Sequence, residues 1–220
     1  MIDLLEYARR LRVVDVWQPG NETGWVTPRF LYDPAAKYNG RVIAPSLTRY
    51  EWWMDHGTVG INTLRFWGEG GSIANGAFSL AHLLVPRDTT EYADGRAHDT
   101  ADVVFKLVPD GYACNHAGPC ISPIHNGNSK GVEYESRQNG THDILDTQYV
   151  KGALLFAYDA ARYGIRDYNR VPHGLVAVPW GRRSDPWAGK FDIARSWELV
   201  QAIRRDERIW RFWGLPQPRV

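Results

Sequence analysis

The chain carries seven histidines, at positions 56, 82, 98, 116, 125, 142 and 173. They form no His-Glu-x-x-His pair, and the cysteines are too few for a zinc knuckle. Any single histidine is more often a surface or satisfied core residue than a ligand. Context changes that for two of them. His56 ends a strand-like run, RYEWWMDH, and Gly57-Thr58 follow at once. His173 lies in VPHGLVAVPWGRRSDP, twelve residues before Asp185. A strand end and two loop positions can converge on one point. Two imidazole nitrogens and one carboxylate oxygen would then hold a tetrahedral zinc ion with its fourth corner open, the pattern of a catalytic site. Such an ion polarises a carbonyl and lowers the pKa of water toward ~7.

Composition bounds the rest. The 220 residues suit one domain with an extension. Lys and Arg number 26 against 25 Asp and Glu, a net charge of +1, so bulk electrostatics do not argue for a nucleic-acid partner. The start, MIDLLEYARRLRVVDVW, has no uninterrupted apolar core and no small-residue cleavage site, and no stretch is apolar enough to insert into a membrane. We therefore expect cytoplasmic synthesis and a monomer. Cys114 and Cys120 lie in CNHAGPC; a local bridge is sterically possible, and free thiols are the plainer expectation. Ten Trp and eleven Tyr are many for this length. For any one Trp, core packing is the plainer role and a sugar platform the second.

Several elements must position these residues. IDLLEYARRL (2–11) has the spacing of a short amphipathic helix, VVDVW can follow as a strand, and 19–40 reads as loop. Strands are expected in RYEWWMDHGT, FSLAHLLV (78–85), VVFKLV (103–108) and KGVEYE (130–135), with a helix starting in 61–67 and a loop or hairpin at 89–102. Val150, Ala153, Leu154, Ala157, Ala160 and Ala161 form one stripe of a helix from about Asp146 to Tyr163, closed by Gly164. A last helix should start at Asp192 as its N-cap. Strands and covering helices together predict a mixed α/β domain.

Six blocks in order carry a resemblance: DHGT (55–58), SLAHLLVPRD (79–88), FKLVPDGYACNHAG (105–118), NSKGVEYES (128–136), DTQYVKGALLFAYDAARYGI (146–165), and His173 with GRRSDPWAGKFD (181–192). Over roughly residues 50–205 the chain resembles the type 2 N-acetylmuramoyl-L-alanine amidases and peptidoglycan recognition proteins. The resemblance implies a mixed central β-sheet flanked by helices, with residues 1–45 as an N-terminal extension and 46–220 as the catalytic domain. It implies zinc held by His56, His173 and Asp185. Glu133 takes the place of the catalytic carboxylate that activates water and protonates the leaving amine. Where other branches carry Tyr before the second-strand His, this chain has Ala81, which leaves proton handling to Glu133. Arg183 stands where the family often has Lys. Arginine stays protonated, so it is no general acid, but it can stabilise an oxyanion.

His82, His116, Asn128 and Trp187 are expected to line the substrate site; Asn115 replaces the family's Trp before His116, and Trp187 replaces a Gly. His98, His125 and His142 are expected to be plain loop residues. The resemblance implies hydrolysis of the bond between N-acetylmuramic acid and L-alanine in peptidoglycan or a muropeptide. The setting is either a phage endolysin or virion lysin, favoured here, or cytoplasmic muropeptide recycling. The alternatives are a non-catalytic peptidoglycan-binding module and a zinc centre that cuts another amide or ester.

Overall fold

The computed structural model describes residues 2–15, 50–59, 63, 81–91, 95–108, 110–111, 113–114, 116–137, 143–183, 185–186 and 191–218. Helix α1 (Leu4–Arg10) opens the chain, its first turn held by Asp3, whose carboxylate accepts from the amides of Leu5 and Glu6 at 3.0 and 3.2 Å. Strands β1 (Arg12–Asp15), β2 (Trp52–Val59), β3 (Leu83–Val85), β6 (Val103–Lys106), β7 (Ser129–Ser136) and β8 (Arg170–Pro172) form one sheet in the order β1-β6-β3-β7-β2-β8. The β3–β6 pair is antiparallel and the other pairs are parallel, so the sheet is mixed. β4 (Thr89–Glu91) and β5 (Ala97–Asp99) pair as a separate antiparallel hairpin.

Alternation along the strands gives the sheet two different faces. Trp53, Val132 and Tyr134 point toward helix α2 (Asp146–Tyr163), meeting Tyr149, Val150, Ala153, Phe156 and Ala157 in the main core. The apolar stripe of α2 meets β7 closely because Gly152 has no side chain: a Cβ there would stand 2.1 Å from the Tyr134 hydroxyl. Gly164 ends α2 in the left-handed conformation, φ 73°. Gln148 fixes its start, accepting from the Leu145 amide while its own amide donates to the carbonyls of Val85 and Glu135. α4 (Ile193–Arg205), with Asp192 as N-cap, and α5 (Glu207–Trp213) complete this layer through Val200, Ile203, Ile209 and Trp210. On the opposite face, Met54 packs with Ala117, Ile124 and Val176, the last from the short helix α3 (His173–Val176).

Asp55 faces the helix layer although it is charged. It is 2% exposed and receives Arg170 Nε at 2.8 Å and Nη2 at 3.1 Å, with Trp53 Nε1 and Tyr134 Oη also donating. These hydrogen bonds offset the cost of burying the pair, although Arg170 Nη1 has no partner among the described residues, and removing either charge is costly.

Leu5, Tyr7 and Ala8 belong to the main core, and β1 pairs with β6 from Arg12↔Val103 to Asp15↔Lys106. The helix expected in 61–67 lies, Thr63 apart, outside the described residues, as do residues 78–80 of the expected strand. Among the described residues no helix is long and apolar enough to cross a membrane. Cys114 and Cys120 are free thiols.

Candidate metal centre and active site

On β2, Trp52, Met54 and His56 share the face away from α2, and on β7 Gly131 and Glu133 do the same. His56 and Glu133 are register partners. β8 ends at Pro172 and α3 begins on His173, so this second imidazole emerges beyond the carboxyl end of the strand next to β2. Asp185 is brought in from the following loop, where its carbonyl accepts from the Gly174 amide at 2.8 Å. The ligand atoms of His56, His173 and Asp185 all lie within 4.8 Å of one another. Asp185 Oδ2 is 3.0 Å from His173 Nδ1 and 3.4 Å from His56 Nδ1.

The outer partners decide where the protons are. His173 Nε2 is 2.9 Å from the Ala117 carbonyl, which can only accept, so Nε2 carries the proton. His116 Nε2 is 3.1 Å from the Ser129 carbonyl and must also donate. A neutral His116 then offers a lone pair at Nδ1, which lies 3.0 Å from His56 Nε2, so His56 is protonated at Nε2 as well. Both histidines therefore turn a bare Nδ1 toward one carboxylate oxygen. Three lone-pair donors facing each other call for a cation between them. Ligand atoms about 2 Å from a tetrahedral ion stand about 3.3 Å apart, so two imidazoles and a carboxylate at these separations fit zinc.

Electrostatics agree. Burial lowers the pKa of His56, and burial drives that of His116 well below the usual histidine range, with the neighbouring histidines adding to the effect. The pKa of Glu133 moves the other way: burial first, then the charge of Asp185, push it to about 8, opposed by Arg183. Glu133 Oε2 is buried with no hydrogen-bond partner among the described residues. Arg183 is exposed and close enough to act on Glu133 as a fixed positive charge.

A second trio, His82, Cys114 and His116, also lies within 4.8 Å. Hydrogen bonds fill it: His82 Nδ1 accepts from the Gly131 amide at 3.0 Å with Cys114 Sγ 3.2 Å away, and both nitrogens of His116 are committed as above.

Of the residues expected at substrate, His82 is fully buried and edge-on to Tyr50, and His116 is buried between Ser129 and His56. The Asn128 side chain ties its own loop, accepting from the His125 amide and donating to the Pro123 carbonyl. Trp187 and His142 lie outside the described residues; His98 is on β5 and His125 is exposed. Sequence reading missed Asn126, whose side-chain oxygen accepts from the amides of His116 and Ala117, and Arg182, which donates to the carbonyls of Ala117, Pro119 and Val178.

Comparison with known proteins follows the same lines. Residues 32–188 match the family model described as N-acetylmuramoyl-L-alanine amidase. A search of curated protein sequences returns no match. Among solved structures, the chain is similar to a selenomethionine derivative of AmpD, with TM-score 0.51 and 23% identity, covering 69% of this chain and 84% of that one. It is similar to AmpDh3 from Pseudomonas aeruginosa, solved in complex with anhydromuramic pentapeptide, with TM-score 0.51 and 24% identity over 81% of this chain and 73% of that one. A mutant endolysin from Bacillus subtilis matches with TM-score 0.52 and 14% identity over 87% and 97%. At these identities the likeness is one of fold, a mixed sheet flanked by helices.

Proposed function

The chain belongs to the N-acetylmuramoyl-L-alanine amidase family, and from that premise we propose that it is a zinc-dependent hydrolase of the amide joining N-acetylmuramic acid to L-alanine in peptidoglycan. The observation that carries the zinc requirement is the convergence of two unprotonated Nδ1 atoms, from His56 and His173, on one oxygen of Asp185. A bound zinc ion would supply Lewis-acid polarisation of the scissile carbonyl and acidify the attacking water.

The chain's own residues do the rest. Glu133 takes a proton from water as the water oxygen bonds to the carbonyl carbon. It returns that proton to the leaving nitrogen as the C–N bond breaks. Burial supports this role by raising the Glu133 carboxyl out of the ordinary carboxylate range toward neutrality, against the opposing charge of Arg183, where one group can take up a proton and give it back. Arg183 holds the negative charge that builds on the carbonyl oxygen. The products are the muramic acid lactyl carboxylate and a stem peptide with a free L-alanine amine.

The test is hydrolysis of a muropeptide, read as new L-alanine amino termini. Excess chelator should abolish it and zinc restore it; activity that persists in chelator overturns the zinc requirement. For the setting we propose wall lysis of the phage type. Cleavage of intact sacculi is then expected, whereas cleavage confined to soluble anhydro-muropeptides assigns the enzyme to recycling.

A further inference from the structure

Both histidines that face Asp185 take the same tautomer, and both take it from two consecutive residues. The ring of His116 receives the Nε2 proton of His56, and the carbonyl of Ala117 receives that of His173. Whatever fixes residues 116–117 therefore fixes both rings together. Asn126 holds that segment by both of its amides, Oδ1 accepting from the His116 amide at 3.1 Å and from the Ala117 amide at 2.7 Å, while the Ala117 carbonyl also accepts from Arg182 Nη2 and Cys120 Sγ, each at 3.3 Å. The His116 ring has two further restraints. Its Nε2 lies 3.1 Å from the Ser129 carbonyl and 3.2 Å from Ser129 Oγ, whose own proton goes to the His125 carbonyl, so Oγ too can accept. Its other side rests on Gly131, where a Cβ would stand 2.5 Å from the ring carbon and Nδ1.

We infer that Asn126 is a positioning residue of the metal centre: by clamping the 116–117 main chain it sets, through His116 and the Ala117 carbonyl, which nitrogen of His56 and of His173 faces Asp185. This rests on the zinc reading above. Outer partners that orient a ligand histidine fix its tautomer and typically change metal affinity by ~10–100-fold when removed. Here one carboxamide governs two ligands, so its loss acts on both.

The test uses the full chain with zinc alone as the probe. Zinc dissociation constants are measured by competition with a chromophoric chelator, and histidine tautomers in the metal-free protein by long-range proton–nitrogen NMR. Asn126→Ala is expected to weaken zinc binding by ~10–100-fold and to give mixed tautomers at His56 and His173. Asn126→Asp keeps the accepting oxygen and should retain affinity and a single tautomer. Asn126→Ala with wild-type affinity and wild-type tautomers overturns the inference, as does equal loss in both variants. If Asn126→Ala does not fold, the relay is tested one step on. His116→Gln offers an acceptor to His56 and a donor to Ser129 and should bind zinc more tightly than His116→Phe; equal binding overturns the inference. If the wild type itself binds no zinc, the zinc reading fails, and the NMR comparison alone then decides the positioning role: identical tautomers in wild type and Asn126→Ala overturn it.

Discussion

His56 and Glu133 stand opposite one another on neighbouring parallel strands and leave the sheet on the same face. Each is next to a buried residue on the helix side of the sheet, Asp55 beside His56 and Tyr134 beside Glu133. Those two are themselves hydrogen-bonded, Tyr134 Oη to Asp55 Oδ1 at 3.1 Å. The proposed proton carrier and one proposed ligand are thus fixed by the pleat of the sheet rather than by a loop, the arrangement that best preserves site geometry.

Glu133→Gln should retain zinc binding while lowering kcat by ~10²–10⁴-fold, the usual worth of a general acid–base group. Steady-state kinetics with a muropeptide, paired with a zinc titration, make the check. An unchanged kcat removes Glu133 from the proton path.

Arg183 is expected to act through its charge. Arg183→Lys should keep most of the activity, whereas Arg183→Ala should lose ~10²–10³-fold in kcat, as when one oxyanion donor is removed. A normal kcat in the alanine variant means that the charge on the carbonyl oxygen is held by other groups.

Zinc should also be visible as stability. At a free concentration 100 times its Kd, a ligand that binds only the folded state stabilises by about 2.7 kcal/mol. For a chain of this size that corresponds to a rise in Tm of roughly 5–10 °C. Asp185→Ala should show no such rise, and scanning calorimetry with and without zinc separates the two.

Glu135 makes a pH prediction away from the metal ligands. Its buried carboxylate accepts from Thr90 Oγ1 at 2.7 Å and from the amides of Thr63 and Arg87. Burial still dominates those bonds and raises its pKa from 4.5 to about 7. The folded state therefore binds the extra proton between these values. Stability contributed by this group is fully present below pH about 4.5 and is lost as pH rises through about 7, by up to about 3 kcal/mol. Glu135→Gln should flatten that part of the profile in denaturant titrations; an unchanged slope assigns it to another group.

We further propose that the catalytic unit includes α1 and β1 rather than beginning after them. Deleting residues 2–15 removes Leu5 and Tyr7 from the core and bares the β6 edge. A lower Tm and a tendency to aggregate are expected, because open strand edges recruit other chains. A truncated protein with the wild-type Tm would make the segment an independent extension after all.

Much of this was legible in the sequence. The apolar stripe of α2 with its closing Gly164, the Asp192 cap of α4 and the Val132–Tyr134 alternation of β7 are local signals, and the elements stand where those signals fall. The parallel pairing of β1 with β6 was not legible, because it joins segments about ninety residues apart and leaves no local trace. The α5 helix is too short for its period to stand out. The meeting of His56, His173 and Asp185 was suggested by family likeness far more than by spacing. The groups around them were hidden for a different reason: the Ala117 carbonyl has no residue-type signature, and an asparagine in a Gly- and Asn-rich stretch reads as an ordinary turn former.

The Asp55–Arg170 pair joins β2 and β8 on the rear of the sheet, one residue from His56 and three from His173. That clasp would assemble the ligand strands whether or not any ion arrives. Unlike a small finger domain that collapses when stripped, this protein should keep its shape through repeated stripping and reloading, and recapture metal at a rate limited by encounter rather than by refolding.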